Sequence, residues 1–401
     1  MNKILRLTAV LLSILALAPG MLCAAPEPII VQKTVRTNPL LYFQGVSGDS
    51  ELSQQMRSFL GACGWFDLTE DAKAEYLLNG REESGRAVFT LTTGGAPVGS
   101  WTMPLSGDRR RMAQMMVDAI IQKTFSELKV KGFCGTRIAF CAKTSQNVKN
   151  IYTCDIDGGN IQQITNFEAL CVEPCWFPSG RAIGYSKYNR TGIDVLETRL
   201  HPKATRVLAG FRGINTGAAI SPDGRNLAVI LSPDHMVDLY VMPVGGNRPR
   251  RLTRGIAVEA SPCWSPDGRQ IAFVSDETGA PRINIVSADG RSRRVLRSLG
   301  GAAVTPDWSG DDKIVYSTRI DGVYTIAVYD LKTGTNTRIT TEPGTWESPA
   351  WAADNRQVVC KRTLGRRSAL YVIDSWTGKV RLLVSTPYNL SMPAWSRAEN
   401  R

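Results

Sequence analysis

Few residues of this 401-residue chain are suited to bond-breaking chemistry. A serine hydrolase of the propeller-linked type needs a nucleophile elbow with the pattern Gly-x-Ser-x-Gly, which does not occur in the sequence. The two histidines are His201, which precedes a proline, and His235, which follows Ser-Pro-Asp. Both lie among turn-forming residues, which favours solvated loop histidines. The sequence therefore predicts no catalytic residues.

Aspartates that recur at regular intervals could be taken for metal ligands. Asp223 and Asp267 each stand between a proline and a glycine, and Asp311 and Asp354 occupy the corresponding positions further along. Pro-Asp-Gly is a tight-turn sequence, because Pro fixes φ, Asp bonds its own backbone and Gly accepts a positive φ. One ion would need carboxylates that converge from separate repeats. We therefore interpret these aspartates as turn residues and predict neither a metal site nor a cofactor.

Tryptophans recur in the same repeat and could stack on a sugar or a cofactor. Burial between neighbouring repeats is the interpretation we favour, because one aromatic side chain per unit is what a repeated core needs. The repeated tryptophans are Trp176, Trp264, Trp308, Trp351 and Trp395. With Ile220 counted in the corresponding position, the intervals are 44, 44, 44, 43 and 44 residues. So steady a period indicates one supersecondary unit that is copied along the chain.

Each repeat contains four short runs with strand character. After the turn comes a β-rich run such as Ile271–Val274, a third run ends at a Gly-containing turn, and a fourth is short and basic. Four strands in 44 residues are typical of a propeller blade. Residues 136–165 supply the second to fourth strands of a blade, and residues 391–396 supply its first. The sequence therefore predicts an all-β six-bladed propeller that is closed by the C-terminal strand, which removes an exposed edge.

The region before the propeller carries no 44-residue repeat. Residues 25–132 are predicted to form an α/β domain, with a strand from Leu40, a helix after Asp49, three short strands and a second helix from about Asp108 to Leu128. Residues 133–401 are assigned to the propeller. Residues 1–24 have basic residues, then an apolar run, then small residues, which is the pattern of a secretory signal. The sequence therefore predicts export.

The charge and the cysteines limit the function classes. The formal net charge is +12, but the Lys and Arg residues are scattered and lack interleaved aromatics, which argues against nucleic-acid binding. Eight cysteines remain after the signal, too few for a disulfide scaffold. Cys141 and Cys154 could face each other across a hairpin, and Cys171 and Cys175 could close a short loop. The cysteine spacing does not match a zinc site.

Function is expected on the loops that join a fourth strand to the first strand of the next blade, because all of these loops surround one mouth of the ring. Four carboxylates in an otherwise basic chain face this mouth, which predicts a docking surface for a basic or donor-rich partner. The predicted partner-binding residues are Asn166, Glu168, Glu173, Arg212, Asn215, Glu259, Trp346 and Glu347.

A signal, a small α/β domain and a six-fold ring, in that order, resemble the TolB family of the Tol-Pal system. The resemblance is carried by Thr136–Ala139, Leu239–Met242, Trp264–Gly268 and Pro393–Ser396. It implies a non-enzymatic, monomeric adaptor in the periplasm, peripheral to the outer membrane. Such an adaptor binds the peptidoglycan-associated lipoprotein Pal at the propeller mouth. It engages TolA and other inner-membrane Tol proteins through its N-terminal region.

The same resemblance implies a role in outer-membrane integrity and in the inward movement of that membrane during cell division. It also implies an N-terminal tether, which docks on the chain's own domains or is released to TolA. The tether residues are Pro28, Ile29, Ile30 and Val31. Two other classes remain open. A propeller hydrolase or lactonase requires a convergent titratable cluster in the channel, and a glycan-binding propeller requires exposed tryptophans.

Overall fold

The computed structural model describes residues 37–397. An α/β region with one five-stranded sheet and two helices is followed by six four-stranded antiparallel sheets. The last strand of the chain completes the sheet that begins the ring. The predicted fold class is therefore confirmed. The predicted signal at 1–24 and the tether residues Pro28, Ile29, Ile30 and Val31 lie outside the described residues.

The N-terminal sheet has the strand order β2-β1-β3-β4-β5. Strand β1 pairs in parallel with β2 and with β3, whereas the β3–β4 and β4–β5 pairs are antiparallel. The strands are β1 (Leu40–Ser47), β2 (Asp67–Thr69), β3 (Tyr76–Glu83), β4 (Arg86–Thr93) and β5 (Ala96–Pro104). The helices are α1 (Ser50–Cys63) and α2 (Arg109–Thr124), followed by a short 3-10 turn at Ser126–Leu128.

Helix α1 forms where the sequence predicts it. The Asp49 side chain accepts a hydrogen bond from the Leu52 amide at 2.8 Å, which caps the helix, and Gly64 ends it in the left-handed region. Its apolar residues recur at helical spacing and are buried. Helix α2 is shorter than predicted, because Phe125 leaves helical geometry and the last turn tightens.

The propeller has five blades of consecutive strands and one composite blade. Blade 1 is β9 (Cys171–Trp176), β10 (Ala182–Tyr188), β11 (Ile193–Arg199) and β12 (Ala204–Ala209). Blade 2 is β13 (Asn215–Ile220), β14 (Asn226–Leu231), β15 (Asp238–Pro243) and β16 (Arg250–Arg251). Blade 3 is β17 (Glu259–Trp264), β18 (Gln270–Ser275), β19 (Arg282–Ser287) and β20 (Arg293–Val295).

The remaining blades follow in the same order around the ring. Blade 4 is β21 (Ala303–Trp308), β22 (Lys313–Ile320), β23 (Val323–Asp330) and β24 (Asn336–Arg338). Blade 5 is β25 (Thr345–Trp351), β26 (Gln357–Leu364), β27 (Arg367–Asp374) and β28 (Val380–Val384). The closing blade joins β29 (Asn389–Trp395) to β6 (Arg137–Ser145), β7 (Val148–Asp155) and β8 (Gln162–Gln163).

Ring closure is secured by hydrogen bonds as well as by strand pairing. Trp395 lies opposite Ile138 in the β29–β6 register. The Trp395 indole Nε1 donates to Thr136 Oγ1 at 2.8 Å, and the Arg137 amide donates to Ser396 Oγ at 3.0 Å. The two ends of the propeller sequence thus share one sheet, and neither is left as an open edge.

Every innermost strand contains one residue in the left-handed region, with φ between 49° and 60°. The strand register shifts at this point in all six blades, as in a β-bulge. These residues are Glu173, Gly217, Ser261, Thr305, Ser348 and Met392. The sequence prediction missed this ring of bulges. Its signal in the sequence is a proline that directly follows the left-handed residue in five of the six blades, two residues before the repeated tryptophan.

The ring has two chemically different faces. We call the side with the turns from first to second and from third to fourth strands the turn face. The opposite side carries the other loops and is called the mouth face. The N-terminal region packs on the turn face of blade 5 and the closing blade. Trp65 Nε1 donates to Asp354 Oδ2 at 3.1 Å, and Arg110 pairs with Asp155 at 2.6 Å.

Arg356 makes several polar and aromatic contacts at this interface. It is buried, and its guanidinium pairs with Asp374 at 2.5 Å. The same group lies over the rings of Trp65, at 4.6 Å, and Trp376, at 4.7 Å. It also donates to Asn38 Oδ1. The hydrophobic core runs without a break from the N-terminal helices into blade 5 and the closing blade.

All eight cysteines of residues 37–397 are free thiols. Cys141 and Cys154, which could have faced each other across the hairpin, do not, because Cys154 lies opposite Ile138 while Cys141 lies opposite Ile151. The two thiols are therefore at different levels of the hairpin. No helix within the described part of the chain is long and apolar enough to cross a membrane.

Candidate functional site

The mouth face contains three of the predicted partner-binding residues as exposed side chains. Asn166 and Glu168 lie in the loop between β8 and β9, and Arg212 lies in the loop between β12 and β13. Short connections between consecutive blades hold these loops at the opening of the ring. Their side chains are available to a partner, and their predicted role stays a prediction.

Asn215 is fully buried and holds a loop together. Its side-chain oxygen accepts from the Phe211 amide at 2.9 Å. Its amide nitrogen donates to Ile193 O at 3.0 Å and to Phe211 O at 2.7 Å. The hydrogen-bonding groups of the Asn215 side chain are therefore all used by backbone atoms of the loop, whose conformation they fix. A substitution here would disturb the mouth loop rather than remove a contact from its surface.

Glu173 lies at the bulge of blade 1 and bridges to blade 2. Its Oε2 accepts from Ser186 Oγ at 2.8 Å, from Thr216 Oγ1 at 2.6 Å and from the Gly217 amide at 3.0 Å. The carboxylate therefore links two innermost strands of the ring. Hydrogen bonds to a charged acceptor are among the stronger ones in proteins.

Glu259 begins β17 and is almost completely buried. Its only ion-pair partner among the described residues is Arg293, at 3.8 Å, and its Oε2 has no hydrogen-bond donor. Burial raises the pKa of Glu259 from 4.5 to about 7, against the opposing effect of Arg293. The negative charge of this carboxylate therefore has little stabilisation from neighbouring groups, and the side chain does not reach the surface.

Trp346 and Glu347 are the second and third residues of β25 and are also engaged within the chain. The Trp346 ring is 1% exposed, its Nε1 donates to Glu342 O at 3.0 Å, and Arg362 lies 4.7 Å over the ring. Glu347 forms an ion pair with Lys361 at 2.7 Å. Of the four glutamates predicted to face the mouth, Glu168 is the exposed one.

Several apolar side chains, which the sequence analysis did not select, are exposed on the mouth face. Five of the twelve large hydrophobic residues exposed in residues 37–397 lie on its loops or at the strand ends beside them, and Ile256 is 93% exposed. The five are Met236, Ile256, Val323, Leu364 and Tyr388. An isolated Ile or Leu in a short loop beside a glycine, as at Gly255 and Gly365, is the sequence signal that would have found two of them. All five lie on the same face of the ring, on different blades.

The repeated aspartates make local hydrogen bonds. Asp267 Oδ1 accepts from Ser265 Oγ at 2.6 Å and from the Arg269 amide at 3.0 Å, and Asp223 makes the same pair of contacts. These bonds lower the pKa of both carboxyls. Asp354 differs, because the N-terminal region buries it and raises its pKa. No cluster of three or more His, Cys, Asp or Glu within residues 37–397 is arranged to hold a metal ion.

The repeated tryptophans pack between blades. Trp264, Trp308, Trp351 and Trp395 are buried, and Trp176 is half-buried. Trp264 Nε1 donates to Ala219 O at 3.0 Å, and Trp176 Nε1 donates to Ala394 O at 3.0 Å. Each bond reaches the innermost strand of the preceding blade. His201 and His235 are exposed in loops on opposite faces of the ring.

Comparisons with known proteins agree with this architecture. The family model described as "TolB beta propeller domain" matches residues 127–399. Two curated proteins named "Tol-Pal system protein TolB" are similar in part. The one from Anaeromyxobacter dehalogenans is 32% identical over 157 residues, which is 39% of this chain and 35% of the relative. The one from Bordetella pertussis is 33% identical over 182 residues, 45% of this chain and 41% of the relative.

The match to these curated relatives thus spans about a third to two fifths of their length. The crystal structure of TolB from Acinetobacter baumannii is similar over 91% of this chain and 98% of that chain. The TM-score is 0.81 at 20% sequence identity, which shows a shared fold. Because the family model covers the whole ring, the chain belongs to the TolB beta-propeller family.

Proposed function

We propose that this chain is a non-enzymatic periplasmic adaptor of the Tol-Pal system. In this proposal the mouth face binds the peptidoglycan-associated lipoprotein Pal, and the N-terminal region binds TolA and other inner-membrane Tol proteins. The complex supports outer-membrane integrity and the inward movement of that membrane during division. The names of the curated relatives and the family membership support the assignment to this system.

The exposed apolar loops of the mouth face are the observation that carries the proposal. Ile256, in the loop between blades 2 and 3, is 93% exposed, and Leu364, at the end of β26 in blade 5, is 49% exposed. The N-terminal region packs on the opposite side of blade 5 and the closing blade, so among the described residues it does not cover the mouth face. Exposed apolar groups contribute free energy to an interface when a partner covers them.

The experiment that tests the proposal is binding of the mature chain to Pal from the same organism. We expect the double variant Ile256→Ser, Leu364→Ser to bind Pal at least about tenfold more weakly, because two apolar side chains no longer leave water. Both residues are exposed, so the fold is expected to be retained. Isothermal titration calorimetry gives the dissociation constants.

A matched control uses exposed valines on the outermost strands. Val207 of blade 1 is 57% exposed and Val295 of blade 3 is 49% exposed, and neither lies on the mouth face. The variant Val207→Ser, Val295→Ser should bind Pal like the unmodified chain. Absence of any binding to Pal would refute the partner. Equal losses in the two variants would refute the mouth face as the site.

A further inference from the structure

A pocket lies on the mouth face between blade 5 and the closing blade. Its volume is about 240 Å³, and its wall combines ends of β26 and β27 with the start of β29 and the β6–β7 hairpin. Four basic residues line it, and no lining residue is acidic. They are Lys143, Lys149, Lys361 and Arg366. So many cations in one concave site produce a strong positive potential.

Most of this charge is not neutralised within the chain. Glu347 pairs with Lys361 at 2.7 Å. Lys143, Lys149 and Arg366 have no carboxylate within 4.0 Å among residues 37–397. Lys149 is half-buried, and burial together with Lys361 and Lys143 lowers the pKa of its ammonium group. The chain therefore holds like charges together at some cost in stability, which is a common property of binding sites.

Hydrogen-bond donors in the same wall also lack partners. The hydroxyl groups of Thr363 and Ser391 are buried and have no hydrogen-bond partner within the described chain. The side-chain oxygen of Asn389 accepts from the Ser368 amide at 3.2 Å, which turns the amide nitrogen of Asn389 away from that contact as a spare donor. Buried hydroxyls are almost always paired, so two in one pocket point to a ligand with several acceptor oxygens.

We propose that this pocket is a binding site for a phosphate group, as inorganic phosphate or as a phosphate monoester. A phosphate monoester carries between one and two negative charges near pH 7 and offers three strong acceptor oxygens. Lysine is a common point-charge partner for such groups. The pocket is several times larger than the volume of one water, so it has room for part of the group to which the phosphate is attached. This site does not depend on the proposed function.

The first test measures binding of inorganic phosphate by the mature chain, with sodium chloride at matched ionic strength as the reference. Matching is needed because ionic strength alone changes interactions between charges. We expect phosphate, but not chloride, to raise the melting temperature and to give a saturable calorimetric signal. Failure of phosphate to do either would overturn the proposal.

The second test replaces the central lysine. Lys149→Gln should weaken phosphate binding by at least about tenfold, because one charge-assisted contact is lost. In the absence of phosphate this variant should melt at the same temperature or higher, since repulsion with Lys143 and Lys361 is removed. Lys203→Gln is the matched control, because Lys203 is exposed on the turn face of blade 1. Unchanged binding in Lys149→Gln, or an equal loss in Lys203→Gln, would overturn the site.

The third test separates the two sources of the phosphate group. Vesicles of phosphatidylcholine with phosphatidic acid present a monoester phosphate, whereas vesicles of phosphatidylcholine alone do not. Lysine-dependent binding to the first vesicles supports a lipid headgroup, and binding of free phosphate alone supports a soluble ligand. If a poly-glutamate peptide occupies the pocket while neither form of phosphate does, the site is for an acidic protein segment and our proposal is wrong.

Discussion

The two faces of the ring differ in where their hydrogen bonds and charges are satisfied. On the turn face, Arg356 is enclosed by Asp374, Trp65 and Trp376 and is almost inaccessible to solvent. On the mouth face, Ile256 projects into solvent and Lys149 lies in a pocket without a carboxylate partner. On the turn face the chain itself supplies the partners of these groups. On the mouth face the corresponding groups are left for a binding partner to pair with or to cover.

This difference separates residues that hold the molecule together from residues that are free for recognition. A buried, fully paired contact contributes to a fixed arrangement of the N-terminal region on blade 5 and the closing blade, but it offers nothing to a partner. Exposed apolar loops and unpaired cations offer binding energy at little cost to the fold. Clustered unsatisfied groups are therefore better guides to function here than the repeated residues.

The largest expected effect is at the turn face. Arg356→Met removes the partner of Asp374 and the donor to Asn38, so a buried carboxylate loses its counter-charge. Breaking a buried pair in this way costs about 3–5 kcal/mol. We expect a loss of this size in the free energy of unfolding, measured by urea denaturation with tryptophan fluorescence, because Trp65 and Trp376 stack on the guanidinium.

The control for this prediction is an ion pair at the rim of the same contact. Lys379 pairs with Asp67, but the Lys379 side chain is 58% exposed. Lys379→Met should cost at most about 1 kcal/mol, as is usual for surface pairs. Similar losses in the two variants would contradict the distinction between the enclosed centre of this contact and its edge.

A second prediction concerns pH and a buried carboxylate of the mouth face. Burial raises the pKa of Glu259 in the folded chain from 4.5 to about 7. The folded state then binds this proton more tightly than the unfolded state, so stability falls as the pH rises through this window. Glu259→Gln removes the penalty. Relative to the unmodified chain, the variant should gain about 3 kcal/mol in the free energy of unfolding between pH 4.5 and pH 8.

Glu277 provides the matched control, because it also pairs with Arg293, at 2.8 Å, but is 60% exposed. Glu277→Gln should change the free energy of unfolding by no more than about 0.5 kcal/mol at either pH. Urea titrations at several pH values measure both variants. A flat pH profile for the difference between Glu259→Gln and the unmodified chain would show that Glu259 carries no such penalty.

Most of the fold could be predicted because the period of the repeat is visible in single residues. Trp264 and Trp308 fix the spacing, and the fragments at the two ends of the propeller sequence have complementary strands. The β-bulges of the innermost strands were not predicted, because Ser261 and Thr305 have a positive φ although neither residue type indicates one. The proline that follows each of them is the cue, and its meaning depends on the register of the neighbouring strand.

The candidate site was harder to predict, because a residue that lies on the mouth face does not necessarily have an exposed side chain. Asn215 and Glu259 do stand at the ends of mouth loops, yet both side chains turn inward and are buried. The pocket of lysines joins the β6–β7 hairpin to β26, which are more than 200 residues apart in sequence. Its charges come together only once the C-terminal strand closes the ring.

The smallest expected effect is at a part of the turn face that the N-terminal region leaves uncovered. Asp267 is exposed and accepts from Ser265 Oγ and the Arg269 amide. Asp267→Ala should cost about 1 kcal/mol through the lost hydrogen bonds, whereas Asp267→Asn keeps an acceptor and should cost less than half of that. Urea denaturation with and without EDTA checks this. Equal losses in the two variants, mimicked by EDTA in the unmodified chain, would instead identify Asp267 as a metal ligand and would mean that this face, too, is completed from outside.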